Sequence, residues 1–110
     1  MARWIFLVHH AGIGLRKGVE DTSAADRDRR MAVHAKGVFV GTTHAVPAMR
    51  RAGGGSMVHI SSSSGLVAIG PPAYTASTGT GRWCTKATAI QHARDHTRCN
   101  AVIPVGAIRP

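Results

Sequence analysis

Acidic residues are scarce in this 110-residue chain: five Asp and Glu face 14 Lys and Arg, a formal net charge of +9. A charge of that size ordinarily directs attention to nucleic acid. The basic residues, however, occur as scattered singles and pairs such as Arg16-Lys17, Arg29-Arg30 and Arg50-Arg51. Aromatics are only 5% of the chain and are not interleaved with them, so stacking platforms for bases are missing. Solvated surface explains the charge, and no nucleic-acid partner is expected. No apolar run comes near the roughly 18 residues that span a bilayer, so no membrane partner is expected either. Arg3 followed by Trp4–Val8 imitates a signal peptide but is short of an apolar region of about 7–15 residues, which leaves the cytoplasm as the expected location. The only cysteines, Cys84 and Cys99, lack Cys-x-x-Cys spacing, which excludes a disulfide framework or zinc finger. No carboxylate accompanies His9-His10, and no metal site is expected.

What is present suits one modest globular domain over residues 1–110, with 44% hydrophobic residues and room to bury roughly two-thirds of its unfolded surface. Trp4–Val8 is a continuous apolar run that reads as a strand buried on both faces. Ser23 and Asp26 form a capping-box-like start for a long helix in which Met31, Ala35, Val38, Phe39, Val46 and Met49 recur at helical spacing. Pro47 should kink or end that helix near its last turn, and Gly53-Gly54-Gly55 stop it. Met57–Ile60 reads as a second strand. A loop over Ser61–Pro72 leads to a second helix from about Tyr74 to His96, with Trp83, Ala87 and Ile90 on its buried face. Gly79 and Gly81 weaken that helix by about 1 kcal/mol each relative to Ala. Cys99–Ile103 is a third strand, closed by Pro104. The order β-α-β-α-β with right-handed crossovers gives a short parallel sheet with both helices on one face and the other face bare. The fold class is therefore α/β, part of a Rossmann-like three-layer fold.

Ligands of such sheets sit beyond the carboxyl ends of the strands, which draws attention to Ser61–Thr78. There a run of hydroxyls, Ser61 to Ser64, ends an apolar strand, and Tyr74 opens a helix with Thr78 one turn later on the same face. A Ser/Gly/Pro connector is the competing reading. Gly12-x-Gly14 is a strand-ending turn rather than a dinucleotide loop, because the third glycine, Gly18, comes one place late and no helix follows. His34 and His59, taken singly, read as tolerated histidines.

Three segments carry a resemblance. His9-His10-Ala11-Gly12, Val58-His59-Ile60-Ser61-Ser62 and Tyr74-Thr75-Ala76-Ser77-Thr78 are similar to the Asn-Asn-Ala-Gly, Val-Asn-Ile-Ser-Ser and Tyr-x-x-x-Lys motifs of the short-chain dehydrogenase/reductase family. The resemblance runs from Val8 to about Arg109 and covers the second half of that family's Rossmann domain. It implies interconversion of a small secondary alcohol and its ketone with NAD or NADP. By the same resemblance Ser62 orients the substrate carbonyl, Tyr74 exchanges the proton, Thr78 stands for the lysine that binds the nicotinamide ribose, and His34 stands for the asparagine that holds a relay water. His10, Ala11, Gly12, Tyr74, Pro104, Gly106 and Ile108 would border the cofactor, and the long helices would build a homo-oligomer.

The departures are as informative. A positive charge about 4 Å from a phenolate is worth around 4 kcal/mol at an effective dielectric near 20, and Thr78 supplies none. Lys86, twelve residues on, lies about 18 Å along the helix from Tyr74 and is no substitute. The family's Thr-Gly-x-x-x-Gly-x-Gly loop, which seats the pyrophosphate, is not in this sequence. Histidine for asparagine at positions 9, 10, 34, 59 and 96 and threonine for lysine at 78 are each one A-to-C codon change, the pattern of a partial or damaged dehydrogenase reading frame. The alternative function is therefore an inactive, self-associating remnant; a fortuitous zinc site at His10, His34 and His59 is a third possibility.

Overall fold

Apolar residues at alternate positions in three short segments place one side of each strand against the helices. In the computed structural model, which describes residues 5–106, β1 (Phe6–His9), β2 (Gly55–Ile60) and β3 (Thr97–Val102) form a parallel sheet in that order. Leu7 lies opposite Met57, and Met57 opposite Cys99. That row meets Val46 and Met49 to form the core, with Ile5, Ala45 and Ala89 packed against it. One row nearer the carboxyl end, His9, His59 and Ala101 are in register. The alternate residues Phe6, Val8 and Val102 are 61%, 47% and 48% exposed, so the face away from the helices is bare among the described residues. The expectation that β1 is buried on both faces fails for that reason; Trp4 lies outside the described residues.

The first long helix begins as its sequence indicates. Ser23 Oγ accepts the Asp26 N–H at 3.0 Å, while the Asp26 carboxylate accepts the Ser23 N–H at 3.4 Å. The helical run is divided: α1 (Ala24–Met31), a π-helical turn (Ala32–Lys36) and α2 (Gly37–Arg51). Pro47 sits inside α2 and does not end it. The stop comes where the chain reverses into β2. Gly54 N–H donates to the Met49 carbonyl at 2.9 Å and Gly53 N–H to that of Arg50 at 3.2 Å, with φ at Gly53 of +86°.

The segment after β2 is not all loop. Ser64–Val67 forms a single-turn helix, α3, before α4 (Pro72–Gln91). Pro72 starts α4 earlier than Tyr74, since a proline at the first helical position forfeits no bond. The helix ends at Gln91 rather than near His96, giving way to a 3₁₀ turn at Ala93–Asp95. Gly65 and Gly79 bring α3 and α4 together: a methyl built on Gly65 would lie 2.7 Å from the Gly79 nitrogen.

The buried side of α4 also differs from the apolar spacing. Trp83 and Ile90 are 64% and 80% exposed, and Ala87 is exposed. Ser77, Thr78, Gly81, Thr85 and Thr88 face inward instead. Small hydroxyl side chains let the helix lie close to the sheet, and Ser77, Thr78 and Thr85 return their protons to its own carbonyls. Met57→Ala should cost about 2–5 kcal/mol in chemical denaturation, because Met57 is fully buried. Phe6→Ala, on the bare face, should change stability by no more than about 0.5 kcal/mol.

Candidate active site

The carboxyl ends of the strands meet at a set of loops held by main-chain bonds. Ser61 N–H donates to the Val102 carbonyl at 2.8 Å, and Ser63 N–H to that of Pro104 at 3.2 Å. Ser62 Oγ accepts the Ser64 N–H at 3.2 Å. Ser61 Oγ donates to the Thr78 carbonyl at 2.9 Å, tying the serine loop to α4. No hydrogen bond joins Ser62 to Tyr74 among the described residues.

Tyr74 lies half-buried in the first turn of α4, edge-on to the His34 ring with centroids 5.5 Å apart. His34 sits in the π-helical turn, where Gly37 N–H reaches back five residues to the Ala32 carbonyl. Both its ring nitrogens are engaged. Nε2 accepts the Ile13 N–H at 3.0 Å, and Nδ1 lies 2.8 Å from Ser77 Oγ. An amide can only donate, so the neutral ring carries its proton on Nδ1 and gives it to Ser77. Ser77 Oγ then donates to the Tyr74 carbonyl at 2.9 Å. Burial, followed by the Arg30 charge, holds the His34 pKa below its ordinary value.

The Thr78 hydroxyl turns back on its own helix, donating to the carbonyls of Tyr74 at 3.0 Å and Thr75 at 3.2 Å. It offers no charge to the phenol. Lys86, as its distance along the helix implies, is elsewhere, with Nζ 4.8 Å from the Trp83 ring centre.

A cavity of about 20 Å³ lies between His9, Ala11, His34, His59 and Thr78, the size of a water and too small for a nicotinamide. Of the other residues singled out for the cofactor, His10, Gly12, Pro104 and Gly106 are exposed; Ile108 lies outside the described residues. A methyl built on Gly12 would make ordinary contact with His34 Nε2 at 3.5 Å. His10–Gly12 and Pro104–Gly106 follow the carboxyl ends of β1 and β3 and are exposed. No residue of the described chain repeats the glycine-rich loop that would seat a diphosphate.

Sequence reasoning missed the pairing of His9 with His59. Their rings stack with centroids 4.6 Å apart, and His59 is 1% exposed. Thr85 Oγ1 gives its proton to the Gly81 carbonyl at 2.8 Å and therefore accepts from His59 Nδ1 at 2.7 Å. Burial, with a smaller contribution from His9, pushes the His59 pKa down from 6.5 to about 4, and burial pushes the Cys99 thiol up to about 11. Assuming parallel register would have placed the histidines opposite each other. His92 and His96 share an i, i+4 spacing, but α4 ends at Gln91 before them. Among the described residues no group of three or more His, Cys, Asp or Glu is placed to hold a metal, so the zinc reading of His10, His34 and His59 fails.

A family model described as enoyl-(acyl carrier protein) reductase matches residues 2–109. The chain belongs to the short-chain dehydrogenase/reductase family. Within it, the chain is 43% identical over 99 residues to a cyclopentanol dehydrogenase of Comamonas, covering 89% of this chain and 40% of that protein. It is 40% identical over 102 residues to the 2-(R)-hydroxypropyl-CoM dehydrogenase of Xanthobacter autotrophicus, covering 89% and 41%. A short chain dehydrogenase structure from Mycobacterium smegmatis superposes with a TM-score of 0.85 at 30% identity, covering 90% of this chain and 42% of that one. The chain therefore spans about 40% of the length of the dehydrogenases it matches. Members of this family use NAD or NADP.

The His59 shift sets an acid limit on the fold. Between pH 6.5 and about 4 the unfolded chain binds the extra proton, so roughly 3 kcal/mol of stability present above this window is lost as the pH falls through it. Thermal melts across the window should show that loss, and His59→Asn should flatten it.

Proposed function

We propose that this chain carries the serine–tyrosine part of an oxidoreductase that interconverts a small secondary alcohol and its ketone, in the cytoplasm, with NAD or NADP as hydride carrier. The observation that supports it most is the placement of Ser62 and Tyr74. Both lie at the carboxyl end of the sheet, on loop and helix segments locked together through Ser61, Thr78 and the Gly65–Gly79 contact. Family membership and the alcohol dehydrogenases among the relatives support the same substrate class.

In this reading Ser62 Oγ holds the substrate carbonyl oxygen, and Tyr74 donates the proton that the oxygen takes up on reduction. His34 keeps the loop after β1 against α4, and His10, Ala11, Gly12, Tyr74, Pro104, Gly106 and Ile108 border the nicotinamide. The cofactor, when bound, supplies the hydride. Thr78 holds a catalytic position without the charge that would stabilise a phenolate, so alcohol oxidation suffers more than carbonyl reduction. Residues 1–110 correspond to one piece of a Rossmann domain.

A second reading, an inactive remnant that self-associates, draws on the outward side chains of the two long helices. Phe39 on α2 and Trp83 and Ile90 on α4 are 65%, 64% and 80% exposed. Titration with NADPH or NADH, followed by nicotinamide fluorescence, tests the remnant reading: saturable binding overturns it. In a fusion to the dinucleotide-binding half of a relative, Thr78→Lys should raise turnover by roughly 10²–10³-fold, the kinetic equivalent of the missing charge. Tyr74→Phe should abolish it.

A further inference from the structure

We propose that Ser77 is a positioning residue for Tyr74, the link through which His34 fastens the loop after β1 to the first turn of α4. Its importance for catalysis rests on the oxidoreductase reading; the link itself does not. Ser77 is fully buried, and its hydroxyl is used in both directions. It accepts from His34 Nδ1 at 2.8 Å and donates to the Tyr74 carbonyl at 2.9 Å. At the other end of the ring, Nε2 accepts the Ile13 N–H at 3.0 Å. Each group is committed by its neighbour. Ile13 can only donate, so Nε2 must be bare, Nδ1 must carry the proton, and Ser77 must accept it and pass its own proton to Tyr74.

That polarity distinguishes Ser77 from a residue that merely fills space. Without the hydroxyl, Nδ1–H would be buried with no acceptor, which is unfavourable. The ring escapes by moving its proton to Nε2, and there it opposes the Ile13 N–H donor to donor. Loss of one hydroxyl on α4 is therefore transmitted to a main-chain amide beside Gly12, which Ser77 does not bond. The loop bordering the cofactor side and the turn carrying the phenol are held as one unit, with Ser77 as the coupling.

The test reads protons directly. Nitrogen-15 imidazole spectra of the 110-residue chain should show neutral His34 with its proton on Nδ1. Ser77→Ala should shift the proton to Nε2 and raise hydrogen exchange at the Ile13 amide at least 10-fold relative to that of Met57, in the core row of β2. A His34 protonated on Nε2 in the parent chain overturns the proposal, whatever the variant does. So does Ile13 exchange that keeps pace with Met57 in Ser77→Ala, the signature of a general loss of stability. Neither nicotinamide binding nor turnover enters these measurements, so failure of the oxidoreductase reading and failure of the coupling are told apart.

Discussion

Helix α4 meets the sheet through small hydroxyl side chains, and the placement of Tyr74, Ser77 and Thr78 follows from that contact. Ser77, Thr78, Thr85 and Thr88 with Gly81 line its inner side. Ser77, Thr78 and Thr85 return their protons to carbonyls of the same helix, and Thr85 also accepts from His59 on β2. The helix thus approaches the strands closely, although Thr75 Oγ1 on α4 and both His9 ring nitrogens on β1 are buried without a hydrogen-bond partner. Tyr74 is thereby fixed over the end of the sheet, beside the serine loop held by Ser61.

The interior this creates is rich in imidazole rather than hydrocarbon. His59 is buried between His9, Thr85 and Cys99, and His34 is held between Ile13 and Ser77. Such rings are compatible with burial only when neutral, because desolvation penalises the cation. The same rings that fill space beneath the site therefore restrict the pH range in which the fold is stable. The apolar core proper is small and lies one row further from the loops, around Met49 and Met57.

Much of the architecture was legible in the residues because it depends on local chemistry. The Ser23/Asp26 capping box and the glycines after Arg51 act within a few residues of themselves, and both appear where the sequence marks them. The order of strands and helices, and the bare face, followed from segment order and crossover handedness. The inward side of α4 was misread because Trp83, Ala87 and Ile90 have the spacing of a buried stripe, and periodicity says which residues share a face, not which way that face turns. The π-helical turn at Ala32–Lys36 was equally hidden, since no residue type there demands it.

By itself the sequence determined the strand and helix order, the family to which the chain belongs, and the loss of positive charge at position 78, each a matter of residue identity and spacing. Only the tertiary structure decided that hydroxyls rather than tryptophan lie against the sheet, that His9 stacks on His59, and that His34 reaches both Ile13 and Ser77. Those outcomes depend on parallel register and on how closely the elements approach. Residues far apart in the chain acquire partners, and a histidine acquires its tautomer, only once both sides of the contact are in place.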